Sequence, residues 1–191
     1  MLFRGVDLTL APGTITWLRG TNGSGKTSLM RILAGLSHAA EGEVVRCDPS
    51  EGRSAVVYIG HQNALKDDLT LAEALRFHAA LAGLDDASGR AERALERFAL
   101  APWRDSMVLT LSQGQRRRGA LARLALDDAP RAWILDEPFD ALDAQSVQRL
   151  SALLLQHAGR GGAVLLTSHQ PVSLAGAVEF DLEPWRAGER R

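Results

Sequence analysis

Three glycines between residues 18 and 29 constrain this chain more than any other feature of its sequence. The segment reads LRGTNGSGKTSL and places Gly20, Gly23 and Gly25 beside a lysine. Because glycine has no side chain, the backbone at these positions can turn its N–H groups toward a single point. Converging N–H groups form a concave site that favours an anion. The segment is therefore predicted to be an anion-binding loop.

The spacing within the loop indicates which anion it binds. Gly20, four further residues, Gly25, Lys26 and Thr27 fit the phosphate-loop pattern. In that pattern the backbone amides cradle phosphates, the lysine reaches the β- and γ-phosphates of a nucleotide, and the hydroxyl binds Mg²⁺. The predicted nucleotide-binding residues, called the phosphate loop below, are Gly20, Thr21, Asn22, Gly23, Ser24, Gly25, Lys26, Thr27 and Ser28.

The segments on either side supply the setting that a phosphate loop requires. Residues 14–18 alternate β-branched and apolar side chains, which predicts a buried strand. Leu29, Ile32 and Leu33 then recur at the spacing of a helix face. Gly35 marks the end of that helix. A helix that begins near the loop adds its positive end to the phosphate site.

Three further apolar runs resemble the buried strands of a parallel sheet covered by helices. They are residues 56–59, 132–135 and 163–167. We expect an α/β fold in which residues 1–191 form one domain. The core lobe is expected to comprise residues 1–66 and 129–191.

Residues 67–128 are predicted to form a helical subdomain inserted into this core. Thr70 and Glu73 form a capping box at the start of a helix. Apolar side chains then follow at helical spacing. The face of the first helix is expected to comprise Leu71, Leu75, His78 and Leu81, and that of the second Ala91, Leu95 and Phe98.

Composition limits the partners and the compartment. The 191 residues are 46% hydrophobic with a net charge of -1, so the chain can bury a core but lacks the basic surface that nucleic acid requires. Cys47 is the single cysteine, which excludes an internal disulfide and fits a reducing compartment. Since no apolar run approaches the roughly 18 residues that span a bilayer, the chain is expected in the cytoplasm, with any membrane spans on other subunits.

Two carboxylates end the apolar run at residues 132–135. Ligands of α/β sheets bind at the carboxyl ends of the strands, so Asp136 and Glu137 are predicted to face the phosphate loop. Asp136 is expected to hold Mg²⁺, directly or through water, and Glu137 to orient or deprotonate the attacking water. This division follows phosphoryl transfer, in which catalysis is mostly positioning and charge neutralisation around the γ-phosphate.

A second capping box, formed by Ser112 and Gln115, predicts a helix that runs on to Leu126. An exposed, glycine-containing helix N-terminus is a second anion site. One chain cannot easily bring this site onto its own phosphate loop if the two lie on different lobes. A two-fold dimer can, because each Ser112 helix then faces the nucleotide of the partner. The sequence therefore predicts a dimer.

These motifs and their order resemble those of the ABC transporter ATPases. The segment LSQGQ, residues 111–115, is similar to the family's signature motif and lies between the phosphate loop and the paired carboxylates, as in the family. The resemblance implies a P-loop NTPase (RecA-like) core with a helical subdomain. It also implies a dimer that hydrolyses ATP with Mg²⁺. The residues that complete the partner's site are then Ser112, Gln113, Gly114 and Gln115.

The resemblance assigns three further residues. Gln62 is similar to the Q-loop glutamine that contacts Mg²⁺ and water, which makes the metal set Thr27, Gln62 and Asp136. Asp143 resembles the D-loop aspartate, and His169 the switch histidine at the γ-phosphate. The implied catalytic residues are Glu137, His169 and Lys26.

Four longer stretches narrow the resemblance: YIGHQ at residues 58–62, LSQGQRRRGALARL at 111–124, WILDEPFDALD at 133–143 and SHQP at 168–171. They are similar to stretches of the ATP-binding subunits of the cytochrome c biogenesis haem exporter. This resemblance implies a peripheral ATPase on the cytoplasmic face of the bacterial inner membrane. It would work with integral membrane subunits in haem delivery or in release of a haem chaperone. The alternatives are the ATPase of another ABC transporter, an importer or a lipid exporter, and a non-transport nucleotide-gated ABC module.

Two positions depart from the ABC pattern. The family's first strand and its adenine-stacking aromatic precede the segment that resembles residues 2–5, so either the start codon is placed late or the N-terminal edge strand is missing. Gln113 replaces the commoner glycine, but Ser112 and Gly114 keep the trans contact. We also expect residues 116–118, three arginines, to form a solvated helix face. Because the tryptophans and histidines lie in unrelated segments, haem is expected to touch the partners and not this chain.

Overall fold

Five strands form one sheet in the computed structural model, which describes residues 2–46, 56–169 and 174–186. They are β1 (Ile15–Arg19), β2 (Val56–Ile59), β3 (Ala132–Leu135), β4 (Ala163–Leu166) and β5 (Ala177–Asp181). Their order across the sheet is β2-β3-β4-β1-β5, and all four pairings are parallel. The first four match the predicted apolar runs to within one residue. Cys47, Gln170 and Pro171 lie outside the described residues.

The sequence analysis does not predict β5. This edge strand pairs with β1 over its whole length, from Ile15 opposite Ala177 to Arg19 opposite Asp181. Its side chains are exposed or partly exposed, so it lacks the continuous apolar run of a central strand. Before β1, described residues 2–14 contribute to pairing only through an isolated antiparallel bridge between Phe3 and Arg186.

Helices cover both faces of the sheet because alternate strand residues point to opposite sides. On one face, Leu18, Ile134 and Leu165 pack against Leu29 and Met30 of α1 (Lys26–Leu33). On the other face, strand residues pack against α5 (Ala144–Gly159); the buried residues of this cluster include Ile15, Trp133, Leu135, Val164, Leu166, Leu150, Leu153 and Leu154. The four tryptophans all belong to or pack against these two clusters. Two covered faces confirm the α/β class.

Three α-helices lie between β2 and β3. They are α2 (Leu71–Leu81), α3 (Ala87–Arg97) and α4 (Gln113–Ala122). The predicted capping box of α2 is present, since Thr70 accepts a hydrogen bond from the Glu73 backbone N–H and Glu73 Oε2 accepts one from the Thr70 N–H. The expected face of α2 is wrong at one residue, because Leu81 at the helix end is 73% exposed. The bounds of the helical subdomain, residues 67–128, stay a prediction.

Short 3-10 helices lie at Ala101–Trp103, Val108–Thr110, Arg123–Ala125 and Glu183–Trp185. The helix predicted to run on to Leu126 is therefore α-helical only to Ala122 and continues as a 3-10 turn. Within the described ranges, no helix combines the length and the apolar character that crossing a bilayer requires.

The sequence interpretation of the arginine run on α4 is wrong at its middle residue. Arg116 pairs with Asp67 at 3.4 Å, and the Arg118 guanidinium lies 5.7 Å from the centroid of a Trp103 ring. Arg117, however, is only 4% exposed. Three consecutive helical residues point in three directions, and the middle one here points into the molecule toward the ends of β2 and β3.

Candidate active site

The phosphate loop connects β1 to α1 in a conformation that requires glycine. Gly25 caps α1 with a φ of 101°, in the left-handed region. A Cβ at this position would also lie 2.8 Å from the Phe3 ring. The glycine therefore allows both the turn into α1 and the close approach of the N-terminal segment.

Lys26 is held by the carbonyls of its own loop. Its Nζ donates to the carbonyl oxygens of Gly20 at 2.7 Å and Thr21 at 3.0 Å. Phosphate oxygens can take the place of these two carbonyl oxygens, because the three N–H donors of an ammonium group can rotate toward a new acceptor. The lysine is thus beside the loop and is available to an anion that enters it.

A cavity of about 430 Å³ opens next to the phosphate loop. The predicted site residues that line it are Asn22, Gly23, Gly25, Lys26, Thr27, Ser28, Asp136, Glu137 and His169. Leu2 and His61 also line it, and the sequence analysis assigns neither of them. Gln62 is exposed and is not among the residues described as lining this cavity, nor are Gly20, Thr21 and Ser24.

Asp136 is the point at which three elements of the fold meet. Its Oδ2 accepts a hydrogen bond from Thr27 Oγ1 of α1 at 2.9 Å. Its Oδ1 accepts one from Thr167 Oγ1, directly after β4, also at 2.9 Å. The predicted convergence of the phosphate loop and the strand-end carboxylate is therefore observed. Thr167 is a contact that the sequence analysis does not assign, although a hydroxyl directly after a buried strand is the signal that could have found it.

Glu137 has the least common backbone conformation of the site. Its φ is 49°, in the left-handed region that non-glycine residues rarely adopt. Its N–H donates to Thr167 Oγ1 at 2.9 Å, so the same hydroxyl joins both carboxylate residues. Burial raises the pKa of Glu137, and the nearby His169 opposes part of that rise. A carboxylate with a raised pKa is a better proton acceptor.

His169 contacts Glu137 from the segment after β4. Its backbone N–H donates to Glu137 Oε2 at 2.9 Å, and its Nε2 lies 3.7 Å from Glu137 Oε1. The imidazole side chain is 59% exposed, so it borders the open side of the cavity. The structure thus brings together three of the predicted site residues, Glu137, His169 and Asp136.

The predicted capping box at the start of α4 is present. Ser112 Oγ accepts from the Gln115 N–H at 3.3 Å, and Gln115 Oε1 accepts from the Ser112 N–H at 2.8 Å. Ser112 and Gln113 are exposed. A Cβ on Gly114 would lie 3.1 Å from the Ala141 carbonyl oxygen, so α4 approaches the loop after β3 closely at this residue.

A second cavity, of about 210 Å³, lies at this helix start. Ser112, Gly114, Gln115 and Asp143 line it. Asp143 also caps α5, because its Oδ1 accepts from the Ser146 N–H at 2.7 Å, and the bonds from Ser146 lower its pKa. In the described residues the two cavities share no lining residue, so the signature segment does not reach the phosphate loop of its own chain.

Comparison with known proteins gives the same assignment at the level of the whole chain. The ABC transporter family model matches residues 3–140, more than half of the chain. Among its relatives is the cytochrome c biogenesis ATP-binding export protein CcmA of Aromatoleum aromaticum. The two are 45% identical over 181 residues, covering 92% of this chain and 85% of that protein.

Solved structures show the same fold. The structure of an ATP-binding subunit of an ABC transporter is 26% identical, with a TM-score of 0.76 over 88% of this chain and 73% of that chain. A post-hydrolysis structure of the ATP-binding cassette MJ0796 is 22% identical, with a TM-score of 0.82 over 100% of this chain and 91% of that chain. With the family model and the identity to CcmA, these findings show that the chain belongs to the ABC transporter ATPases, in their CcmA family of cytochrome c biogenesis ATP-binding export proteins.

Proposed function

We propose that this chain hydrolyses Mg-ATP for haem export, or for release of a haem chaperone, in cytochrome c biogenesis. The observation that supports it best is the hydrogen-bonded series from Thr27 through Asp136 and Thr167 to Glu137, which runs along one side of the phosphate-loop cavity. The CcmA relatives do not favour the alternatives, an importer, a lipid exporter or a non-transport ABC module.

The phosphate loop binds the triphosphate in this proposal. Gly23, Gly25 and Lys26 line the cavity at the start of α1, where the positive end of the helix dipole favours an anion. Lys26 exchanges its bonds to Gly20 and Thr21 for bonds to the β- and γ-phosphates.

The metal set fits Mg²⁺ in its chemistry. Thr27 Oγ1 and Asp136 Oδ2 are oxygen donors 2.9 Å apart beside the phosphate cavity, and Mg²⁺ prefers oxygen ligands and substrate phosphates. When bound, the ion neutralises charge on the phosphates. Gln62 completes the proposed set; it directly follows His61, which lines the cavity, but is not itself among the lining residues.

Glu137 and His169 act on the attacking water and the γ-phosphate. Glu137 accepts the water proton as the oxygen approaches phosphorus, and its raised pKa favours that transfer. The His169 backbone N–H fixes Oε2 of the carboxylate, while its exposed ring is free to donate to a γ-phosphate oxygen. Positioning of this kind supplies most of the catalysis in phosphoryl transfer.

A dimer completes each site. The exposed Ser112 cap and the separation of the two cavities leave the signature segment, with Gln113, Gly114, Gln115 and the D-loop Asp143, available to a partner's nucleotide. A two-fold axis would form two such contacts at once. We place the dimer on the cytoplasmic face of the inner membrane, held there by integral membrane subunits, with haem contacted by those partners.

The deciding experiment is Glu137→Gln in the full chain, with Glu96→Gln on α3 as a matched control at an exposed position. The site variant should bind Mg-ATP, lose steady-state hydrolysis and accumulate as a dimer. The control should behave like the wild type. Unaltered hydrolysis in Glu137→Gln would contradict the proposal. Failure of the copurified membrane complex to release haem chaperone with wild-type protein would contradict the assigned transport step alone.

A further inference from the structure

Arg117 carries a buried charge that the proposed mechanism does not use. Among the described residues, its guanidinium has no carboxylate within ion-pair distance. Isolated buried charges are unfavourable unless hydrogen bonds satisfy them. Burial lowers the pKa of Arg117, and the carboxylates of Asp140, Asp136 and Glu137 oppose that lowering.

Backbone carbonyls are the main acceptors for this guanidinium. Nη2 donates to the carbonyl oxygens of Asp136 at 2.9 Å and Glu137 at 2.7 Å. Nη1 donates to the Gly60 carbonyl oxygen at 2.9 Å and to Asn63 Oδ1 at 3.4 Å. The Arg117 side chain on α4 therefore bridges the segment after β3 and the segment after β2. Its acceptors in the segment after β2, Gly60 and Asn63, lie two residues before Gln62 and one residue after it.

These bonds hold the backbone of Glu137 in a conformation that it would not choose locally. A φ of 49° is unfavourable for a glutamate, and Pro138 restricts the residue further. Thr167 fixes the Glu137 N–H, while Arg117 fixes the carbonyl before Glu137 and the carbonyl of Glu137 itself. The peptide groups on both sides of the residue are thus held, and they determine where its carboxylate points.

We propose that Arg117 is a positioning residue, which holds the left-handed backbone of Glu137 and so aims its carboxylate at the water. This proposal rests on the proposed role of Glu137 as the base. The planar fork of a guanidinium suits the task, since its two terminal nitrogens reach acceptors on two separate segments. A lysine ammonium is one point with three donors and can serve only part of the set.

The test compares Arg117→Gln and Arg117→Lys with the control Arg93→Gln. The control changes an arginine on α3 and removes its exposed ion pair with Asp86. Because misplacing a catalytic group by about 1 Å can lower a rate by about 100-fold, we expect a kcat loss approaching that in Arg117→Gln and a smaller loss in Arg117→Lys. Mg-ATP affinity should stay within about twofold, since Arg117 does not line the phosphate cavity. The control should keep wild-type values of both.

A double variant separates positioning from general damage. If Arg117 acts through Glu137, adding Arg117→Gln to Glu137→Gln should lower the slow hydrolysis that remains, measured in a single-turnover assay, by less than about twofold, because residues that act as a unit are not additive. Full additivity, or a parallel loss of ATP affinity and kcat, would overturn the proposal.

Separate measurements test whether each variant folds and whether the proposed function itself holds. Thermal unfolding and Mg-ATP binding are measured for every variant. If Arg117→Gln does not fold, a folded Arg117→Lys with lowered kcat and normal ATP affinity supports the proposal, and wild-type kcat overturns it. Loss of folding in both variants means that Arg117 is structural, which also overturns it. If Glu137→Gln hydrolyses ATP at the wild-type rate, the proposed function is refuted. If Glu137→Gln loses hydrolysis but Arg117→Gln keeps normal turnover, only this inference is refuted.

Discussion

The hydroxyl of Thr167 donates a hydrogen bond to Oδ1 of Asp136 over 2.9 Å. The hydroxyl oxygen of Thr167 in turn accepts a hydrogen bond from the Glu137 N–H, also at 2.9 Å, and the threonine is fully buried. One hydroxyl on β4's carboxyl end therefore sets the position of both carboxylate residues of the site relative to each other.

Thr167→Val should remove this link without changing the volume of the side chain. It leaves a buried N–H and a carboxylate oxygen each without a partner, so we expect a loss of about 1 to 3 kcal/mol in the free energy of unfolding. Hydrolysis should fall further than stability alone explains. Urea unfolding and steady-state ATPase assays measure the two effects. Thr110→Val, whose exposed hydroxyl donates to the Met107 carbonyl, is the control and should stay within about 0.5 kcal/mol; equal losses in both would refute the role of Thr167.

The two lysines of the chain, Lys26 and Lys66, allow a direct test of the phosphate loop. Lys26 lines the cavity, whereas Lys66 lies with its Nζ 5.2 Å from the centroid of the Phe77 ring, away from the cavity lining. Mg-ATP should protect Lys26 from an amine-reactive reagent and leave Lys66 labelled at the same rate. Peptide mass spectrometry reads out both residues in one sample. Equal labelling of Lys26 with and without nucleotide would show that the lysine does not contact the phosphates.

The sequence predicts the parts of the fold that depend on local signals. The phosphate loop, β1 to β4 and both capping boxes are found as predicted, because glycine spacing, apolar runs and Ser/Thr caps act over a few residues. β5 is missed because an edge strand has one paired side and mixed exposure.

Contacts between residues far apart in the sequence determine the features that local sequence patterns do not predict. The burial of Arg117 depends on acceptors 20 and 57 residues away along the chain, at Glu137 and Gly60. Nothing within the run of three arginines distinguishes the middle one from its neighbours. The same reasoning applies to Thr167, whose role depends on two strands that only the folded sheet brings side by side.

The stability of the protein should fall in mild acid because two histidines resist protonation when folded. His157 is buried against Trp133, with ring centroids 3.5 Å apart, and its Nε2 lies 2.8 Å from the Arg131 carbonyl oxygen. Burial lowers its pKa, and burial also lowers the pKa of His78 to about 4. Below the unfolded value near 6.5, the unfolded chain therefore binds protons that the folded chain does not, so stability present at neutral pH is lost as the pH falls.

Urea unfolding at pH 7.5 and pH 5, conditions chosen on either side of about 6.5, measures this loss. His157→Phe keeps a ring against Trp133 but cannot titrate, so its stability should decrease less between the two conditions than that of the wild type. His38→Gln, which changes an exposed histidine, is the matched control. An identical acid loss in wild type and His157→Phe would show that His157 does not contribute.

Ser112 has two roles that can be separated by the choice of substitution. Its Oγ caps α4 within the chain, and in the proposed dimer the same helix start contacts the partner's nucleotide. Ser112→Ala removes both and should lower the free energy of unfolding by about 1 kcal/mol. Ser112→Asn restores a side-chain oxygen that can cap the helix, so stability should be recovered. In the proposed dimer the larger amide of asparagine nevertheless occupies the space that the partner's phosphate requires.

We therefore expect both Ser112 variants, placed in the Glu137→Gln background, to lose ATP-dependent dimerisation in sedimentation or light-scattering measurements, although only the alanine variant is less stable. A normal ATP-induced dimer in both would show that the exposed start of α4 is only a capped helix end.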